Sequence, residues 1–233
     1  LEAVDMALSR QEIKDELKAC SVQVRQKVDE LCGDYARDVD FSYVPFFTVL
    51  FFNEMRHQPD NPTWPGRDRL IVSNMKVVPS LLAVLAHAGY FTWKEFGGLL
   101  VRLPKLLAGS SLAMISYPGV EFVTDEPYHG MIHSLGFALA GAKSRQEYRV
   151  YHVLNESRSP VMQEVLLAAS QGRLGNLACI IPFLDLQQRS STLHFWFSMG
   201  WQLEEVRFED TGQVFEGFAR SSRAAGKPRI LMG

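Results

Sequence analysis

Residues 148–187 read YRVYHVLNESRSPVMQEVLLAASQGRLGNLACIIPFLDLQ, and this stretch decides the fold. Two apolar runs rich in β-formers, Arg149–Leu154 and Leu177–Phe183, bracket a segment of helical period. In that segment Val161, Val165, Leu166, Ala168 and Ala169 share one face. Pro160 suits a first helical turn, and Gly172 and Gly175 punctuate the exit. A buried strand, a crossover helix and a second buried strand predict a right-handed βαβ unit in a parallel sheet. Ligands of such sheets bind at the carboxyl ends of the strands. Here those ends are Asn155–Arg158 and Pro182–Leu186.

The alternation of strand and helix continues outward on both sides. Downstream, an apolar run Leu193–Met199 ends at Gly200-Trp201. A strand Gln202–Arg207, a helix Val214–Ala224 and a last strand Arg229–Met232 follow. Upstream, Ser9 and Glu12 have capping-box spacing. After them Ile13, Leu17, Cys20, Val24, Val28 and Leu31 mark a long amphipathic helix ending near Gly33. Phe46–Met55 is apolar nearly all round, which predicts a helix buried in the body or at an interface. Turn clusters at Asp60-Asn61-Pro62 and Trp64-Pro65-Gly66 lead into a short strand, Leu70–Val72. A helix over 79–88 and a second one, capped by Thr92 and Glu95 and ending before Pro104, come next. Residues 105–117 read as a loop, and Ile132, Leu135, Gly136, Leu139 and Ala140 form the close-packing face of another helix. With no linker, repeat or low-complexity tract, residues 1–233 are expected to form a single α/β domain.

Composition narrows the class. Hydrophobic residues make up 47% and charged residues 21%, as in ordinary soluble domains, and the net charge of −2 offers no global field to nucleic acid or anionic lipid. The three cysteines, Cys20, Cys32 and Cys179, sit in apolar contexts and read as buried thiols of a reducing cytoplasm. No apolar run reaches the roughly 18 residues of a membrane span, and the amino-terminal segment has no signal-peptide profile. Neither nucleic acid nor membrane is expected as a partner.

Several phrases resemble the amino-terminal, diphosphate-binding domain of transketolase. The strongest is Leu50–Ser73, which matches the family phrase LYF…M…P.NP.WP.RDRF.LSKGHA up to its serine. Pro79, Leu82, Ala83, Leu85 and Ala88-Gly89-Tyr90-Phe91 resume the pattern. Gly119-Val120-Glu121 keeps it, and Phe197–Asp210 is similar to a further family phrase, FGW.V..V.GHD. The resemblance covers nearly the whole chain but only the amino-terminal third of a full transketolase. It implies a three-layer thiamine-diphosphate-binding fold with a central parallel sheet. Its extent is that of the first subunit of the split transketolases, whose partner subunit carries the pyrimidine-binding domain.

Where the family binds its cofactor, the sequence departs from the pattern. The family's Ser-Lys-Gly-His-Ala becomes Ser73-Asn74-Met75-Lys76-Val77. A Gly-rich helix start becomes Thr124-Asp125-Glu126-Pro127-Tyr128-His129-Gly130, and the metal-binding Gly-Asp-Gly-Glu becomes Asn155-Glu156-Ser157-Arg158. Leu184 stands where a metal-ligating Asn belongs, Ala36-Arg37-Asp38 replaces a His-x-Gly, and no histidine lies between His87 and His129. The positions of the degenerate cofactor pocket are therefore Lys76, Asp125, Asn155, Glu156, Ser157 and Leu184. Asp125 and Glu126 are expected to satisfy the helix's free N–H groups, and Lys76 to pair with Glu156 or Asp125. No catalytic residue and no metal site are expected: His129 and His133 lie one turn apart without a third ligand, and Ser157 lacks the glycines of a nucleophile elbow.

The resulting expectation is a transketolase-like amino-terminal subunit that is catalytically degenerate and acts as a structural partner. It would form a dimer by itself and a hetero-oligomer with a carboxy-terminal transketolase-like subunit or paralogue. Phe46–Phe52 and the Tyr128–Gly141 helix are expected to supply the contact, and the isolated chain is expected to bind no cofactor. Two alternatives stand beside it: an active half of a split enzyme using thiamine diphosphate and Mg²⁺, or a pocket between Lys76, Asp125 and Glu156 turned to another ligand.

Overall fold

The computed structural model describes residues 8–33, 39–108, 115–154, 160–182, 189–221 and 226–233. Helix α1 (Arg10–Cys32) starts at the expected capping box: Ser9 Oγ accepts the Glu12 N–H at 3.2 Å, and the Glu12 carboxylate accepts the Ser9 N–H at 2.6 Å. Gly33 ends it at φ 51°. Helix α2 (Val44–Val49) runs directly into a π-helical turn, Leu50–Glu54. Strand β1 (Arg69–Ser73) then leads through a 3₁₀ turn, Met75–Val77, to α3 (Val78–His87) and α4 (Trp93–Ala108). A hairpin of β2 (Ile115–Tyr117) and β3 (Val120–Val123) precedes α5 (Pro127–Ser144). The organising βαβ unit follows as β4 (Val150–Leu154), α6 (Pro160–Gln171) and β5 (Leu177–Ile181). The chain closes with α7 (Arg189–Ser198), β6 (Gln202–Glu205), α8 (Thr211–Ser221) and β7 (Arg229–Met232).

The seven strands form one sheet in the order β2-β3-β1-β4-β5-β7-β6. All neighbours are parallel except β2 and β3. The five expected strands are present and parallel, in register from Arg69↔Val150 to Ser73↔Leu154 between β1 and β4. Alternation along each strand splits the core in two. Leu70, Val72, Tyr151, Val153, Ala178, Ile180 and Leu231 face α1, α2, α3, α4 and α8. Ile71, Val150, Leu154, Cys179, Ile181, Ile230 and Met232 face α5, α6 and α7. Helices on both faces of a mostly parallel sheet make a three-layer α/β domain, and each fully buried Leu, Ile, Val or Phe contributes about 1.5–3 kcal/mol. Among the described residues no helix is long and apolar enough to cross a membrane.

Three expectations need correction. The loop expected over 105–117 does not extend to its end, because residues 115–117 form strand β2 of the hairpin with β3. The run Ile115–Tyr117 is too short to announce itself by alternation, and only pairing with β3 makes it a strand. Helix α4 does not stop before Pro104 but continues to Ala108. A proline there removes only one backbone bond, while Phe96, Leu100 and Leu103 hold the helix on the core. The segment Phe46–Phe52 is consumed by the domain's own interior, since Phe46, Phe47, Val49, Leu50 and Phe51 are buried and only Phe52 is exposed. It therefore offers a partner little of the surface expected of it.

Candidate functional site

The two ends of the sheet carry different arrangements of charge. At the amino ends of the strands, the residues of the Leu50–Ser73 phrase form a clamp of paired charges. Asp68, only 1% exposed, accepts the backbone N–H of Arg56 at 2.9 Å and that of Arg149 at 2.7 Å, and the Arg56 guanidinium at 3.3 Å. One carboxylate thus ties the loop after the π turn to the starts of β1 and β4. Glu121 receives Arg67 at 2.6 Å and Arg69 at 3.3 Å, locking β3 to the same loop. Glu54, at the end of the π turn, accepts Arg149 at 2.7 Å, the Tyr151 hydroxyl at 3.1 Å and Arg229 at 3.5 Å, so it joins α2 to β4 and β7. His57 closes the corner: its Nε2 lies 2.7 Å from the Phe51 carbonyl and its Nδ1 3.0 Å from the Tyr90 hydroxyl. The ring of Tyr90 in turn sits where a side chain on Gly119 (φ 81°) would have to go. This phrase is architecture: its charges hold strands together.

At the carboxyl ends lie the positions that the resemblance assigns to a cofactor pocket. Strand β1 ends at Ser73, and Asn74 caps the following turn by accepting the Lys76 N–H at 3.1 Å. Asn74 is fully buried, and its Nδ2 has no hydrogen-bond partner among the described residues. Ser73 Oγ lies 2.8 Å from His152 Nε2, and both residues are fully buried between β1, β4 and α5. Burial drives the His152 imidazole down to a pKa of about 3, so it is neutral, and its Nδ1 has no partner among the described residues. Gly130 permits this pair. A Cβ there would overlap Ser73 Oγ and stand 2.6 Å from His152 Nε2. Gly130 therefore lets the first turn of α5 seat against β1 and β4.

The start of α5 differs from the expected internal cap. Glu126 is the N-cap residue, and no side chain caps the helix. Thr124 Oγ1 instead accepts the Glu126 N–H at 3.2 Å. The Glu126 carboxylate bonds the Tyr128 hydroxyl, which raises the pKa of that phenol. Thr124 is tied to the end of β1, its N–H bonded to the Val72 carbonyl at 2.9 Å, and from there a short hydroxyl reaches the turn. Asp125 is exposed and makes no ion pair among the described residues. Lys76 is exposed in the turn after β1. Of the six pocket positions, Lys76 and Asp125 are thus placed at the carboxyl ends of adjacent strands. Asn155, Glu156, Ser157 and Leu184 lie outside the described residues, as do Ala36-Arg37-Asp38 and the expected pairing of Lys76 with Glu156.

Sequence reading missed Asn74 and the Ser73–His152 pair. An asparagine directly after an apolar strand was the available signal for the first. Nothing local marks the second, because the two residues are far apart in sequence and meet only through the β1–β4 register. Among the described residues, no group of three or more His, Cys, Asp or Glu could hold a metal. His133 Nδ1 lies 2.8 Å from the His129 carbonyl, a contact within one turn of helix. All three cysteines are free thiols, but only Cys179 is fully buried as expected, and burial pushes its thiol far up; Cys20 and Cys32 are half-buried.

Thiamine diphosphate carries several negative charges that must meet cations, a metal or N–H donors. The described side of the pocket does not fit that need. The helix end facing it carries Asp125 and Glu126, its first residue is Pro127, which has no N–H, and the one cation described there is Lys76.

No family model matches the chain. Over 195 residues it is 26% identical to the 6-deoxy-6-sulfo-D-fructose transketolase subunit SqwG of Clostridium sp. (strain MSTE9), covering 79% of this chain and 70% of that protein. Over 204 residues it is 26% identical to an apulose-4-phosphate transketolase subunit of Phocaeicola vulgatus, covering 83% and 72%. The solved transketolase of Leishmania mexicana superposes with a TM-score of 0.69 at 19% identity, over 94% of this chain and 36% of that one. The chain thus spans little more than a third of that solved transketolase. In fold it matches the thiamine-diphosphate-binding fold of the transketolases, and in sequence it resembles their amino-terminal, diphosphate-binding type of subunit.

Proposed function

We propose that this chain is a transketolase-like amino-terminal subunit whose diphosphate site has decayed and which serves as a structural partner in a heteromeric, cytoplasmic complex. One observation carries the reading. The helix end that should receive a diphosphate presents two carboxylates and a proline, with a single described lysine opposite. Anions are stabilised at a helix N-terminus, and Asp125 and Glu126 already occupy that field. The sequence adds to it: Asn155 and Ser157 replace glycines, Leu184 replaces an amide ligand, and Lys76 is assigned as an internal counter-charge to Glu156.

The fold surface supports a partner. Helix α5 exposes Ile132 at 47% beside the small residues Gly136 and Ala140, which suits close helix contact with a second copy or with the partner subunit. The test is calorimetry with thiamine diphosphate and Mg²⁺, with and without the carboxy-terminal subunit, followed by a ketol-transfer assay of the mixture. No binding and no transfer, together with a stable complex by light scattering, is the expected outcome. Micromolar binding by the chain alone would overturn it. A combined Lys76→His, Asn155→Gly, Glu156→Asp, Ser157→Gly, Leu184→Asn variant should gain binding if the lost ligands are the cause.

The two relatives favour a second reading, since both are named as transketolase subunits. In it, this chain is the active half of a split enzyme, with Glu156 on Mg²⁺. Ketol transfer by the reconstituted pair would establish it.

A further inference from the structure

A cleft of about 340 Å³ opens at the amino ends of β5, β6 and β7, on the edge of the sheet away from the cofactor-side turns. It is lined by Ser170, Arg173, Gly200, Gly226, Lys227 and Pro228. Two of these six residues are cations and none is acidic. The side chains of Arg173 and Lys227 make no ion pair among the described residues, whereas Arg67, Arg69, Arg149 and Arg229 are all bound to carboxylates.

The backbone that carries these two cations is tightly turned. Arg173 adopts φ 49°, a left-handed conformation that side chains other than Asn, Asp and Gly rarely take. A tight turn holds it there, its N–H bonded to the Ser170 carbonyl at 2.9 Å and its carbonyl to the Gly175 N–H at 2.8 Å. Gly175 and Gly226 pack backbone to backbone, with no room for a Cβ: one on Gly175 would lie 2.9 Å from the Gly226 nitrogen. Gly226 itself stands at φ 75°. Glycine approach brings Lys227 across to the turn that carries Arg173. Ser170 donates its hydroxyl proton to the Met199 carbonyl, so the side-chain donors left for a ligand are the two cationic heads.

We infer that this cleft binds a small phosphate-type dianion, either free phosphate or the phosphoryl group of an ester, between Arg173 and Lys227. An arginine fork with a lysine point charge is the pairing that suits phosphate oxygens. The site is independent of the cofactor-side pocket, so its test stands whether or not the chain binds thiamine diphosphate.

The experiment is a titration of the full chain with inorganic phosphate in low-chloride buffer, read by backbone amide shifts in two-dimensional NMR. Saturable shifts confined to Ser170–Gly175, Gly200 and Gly226–Arg229 are expected, with a dissociation constant on the order of 1 mM. An R173S/K227S variant should weaken binding at least about tenfold. A K18S/K94S variant, which removes the same charge from exposed helix positions, should not. A phosphomonoester binding more tightly than phosphate would name the ester as the source, and equal binding would name the phosphoryl group alone. Equal shifts with acetate, equal loss in both variants, or no saturation below about 20 mM phosphate would overturn the inference.

Discussion

The two ends of this sheet use charge in opposite ways. At the amino ends, Glu54, Asp68 and Glu121 are enclosed by arginines and backbone N–H groups, and each bonds at least two elements together. At the carboxyl ends, and among the described residues, Asp125 is exposed without an ion pair, Glu126 reaches only a neighbouring phenol, and Asn74 keeps a buried amide nitrogen without a partner. Paired buried charges are strongly destabilising to disturb, whereas exposed ones change with little effect. A chain can therefore keep the first set for its fold while the second drifts with function. The phrase that most resembles transketolase, Leu50–Ser73, lies mostly at the first end and reaches the second only through Ser73.

The largest effect should come from breaking the clamp. Asp68→Ala leaves the N–H groups of Arg56 and Arg149 without their acceptor and should cost about 3–5 kcal/mol in urea unfolding. A loss below about 1 kcal/mol would show that water replaces the carboxylate and would erase the contrast between the ends. Gly130→Ala comes next, since its methyl must displace Ser73 or His152, and it should cost about 1–3 kcal/mol. Pairing it with Ser73→Ala should recover part of that loss. Purely additive losses would mean that the helix start, not this contact, absorbs the strain.

The buried imidazole gives a pH test of the carboxyl end. The folded pKa of His152 is depressed to about 3, below an unfolded value of about 6.5. Above that unfolded value neither state binds the proton. As pH falls from there toward 3 only the unfolded chain does, so stability is lost, with a slope of up to about 1.4 kcal/mol per pH unit. Unfolding at pH 7 and pH 5 should show the slope, and His152→Gln should flatten it even if stable at a lower level. The smallest effect belongs to the exposed carboxylates. Asp125→Asn with Glu126→Gln should cost about 0.3–1 kcal/mol per charge at low salt, fading as salt rises. A cost as large as that of Asp68→Ala would place hidden partners at this end.

The strands of the βαβ unit and their burial were legible in the sequence because continuous apolar runs and a 3.6-residue face admit few alternatives. The capping boxes at Ser9 and Thr92 were legible for the same reason: both partners lie three residues apart and meet within one turn. The start of α5 was misread because an acidic pair before a helix usually caps it, whereas here no side chain caps the helix and Thr124 only holds the N–H of the N-cap residue Glu126. Strand β2 and the passage of α4 beyond Pro104 were hidden likewise, since each depends on a surface supplied by another element.

By itself, then, the sequence determined the three-layer α/β plan and the transketolase-like phrases. These follow from local period and residue type. Only the tertiary structure decided what the retained phrases do. It turned the Asp68 and Glu54 motifs into a clamp, joined Ser73 to His152 under Gly130, and brought Arg173 and Lys227 to one cleft. Each of these joins residues far apart in the chain, and such partners meet only when strand register and helix packing bring their segments together.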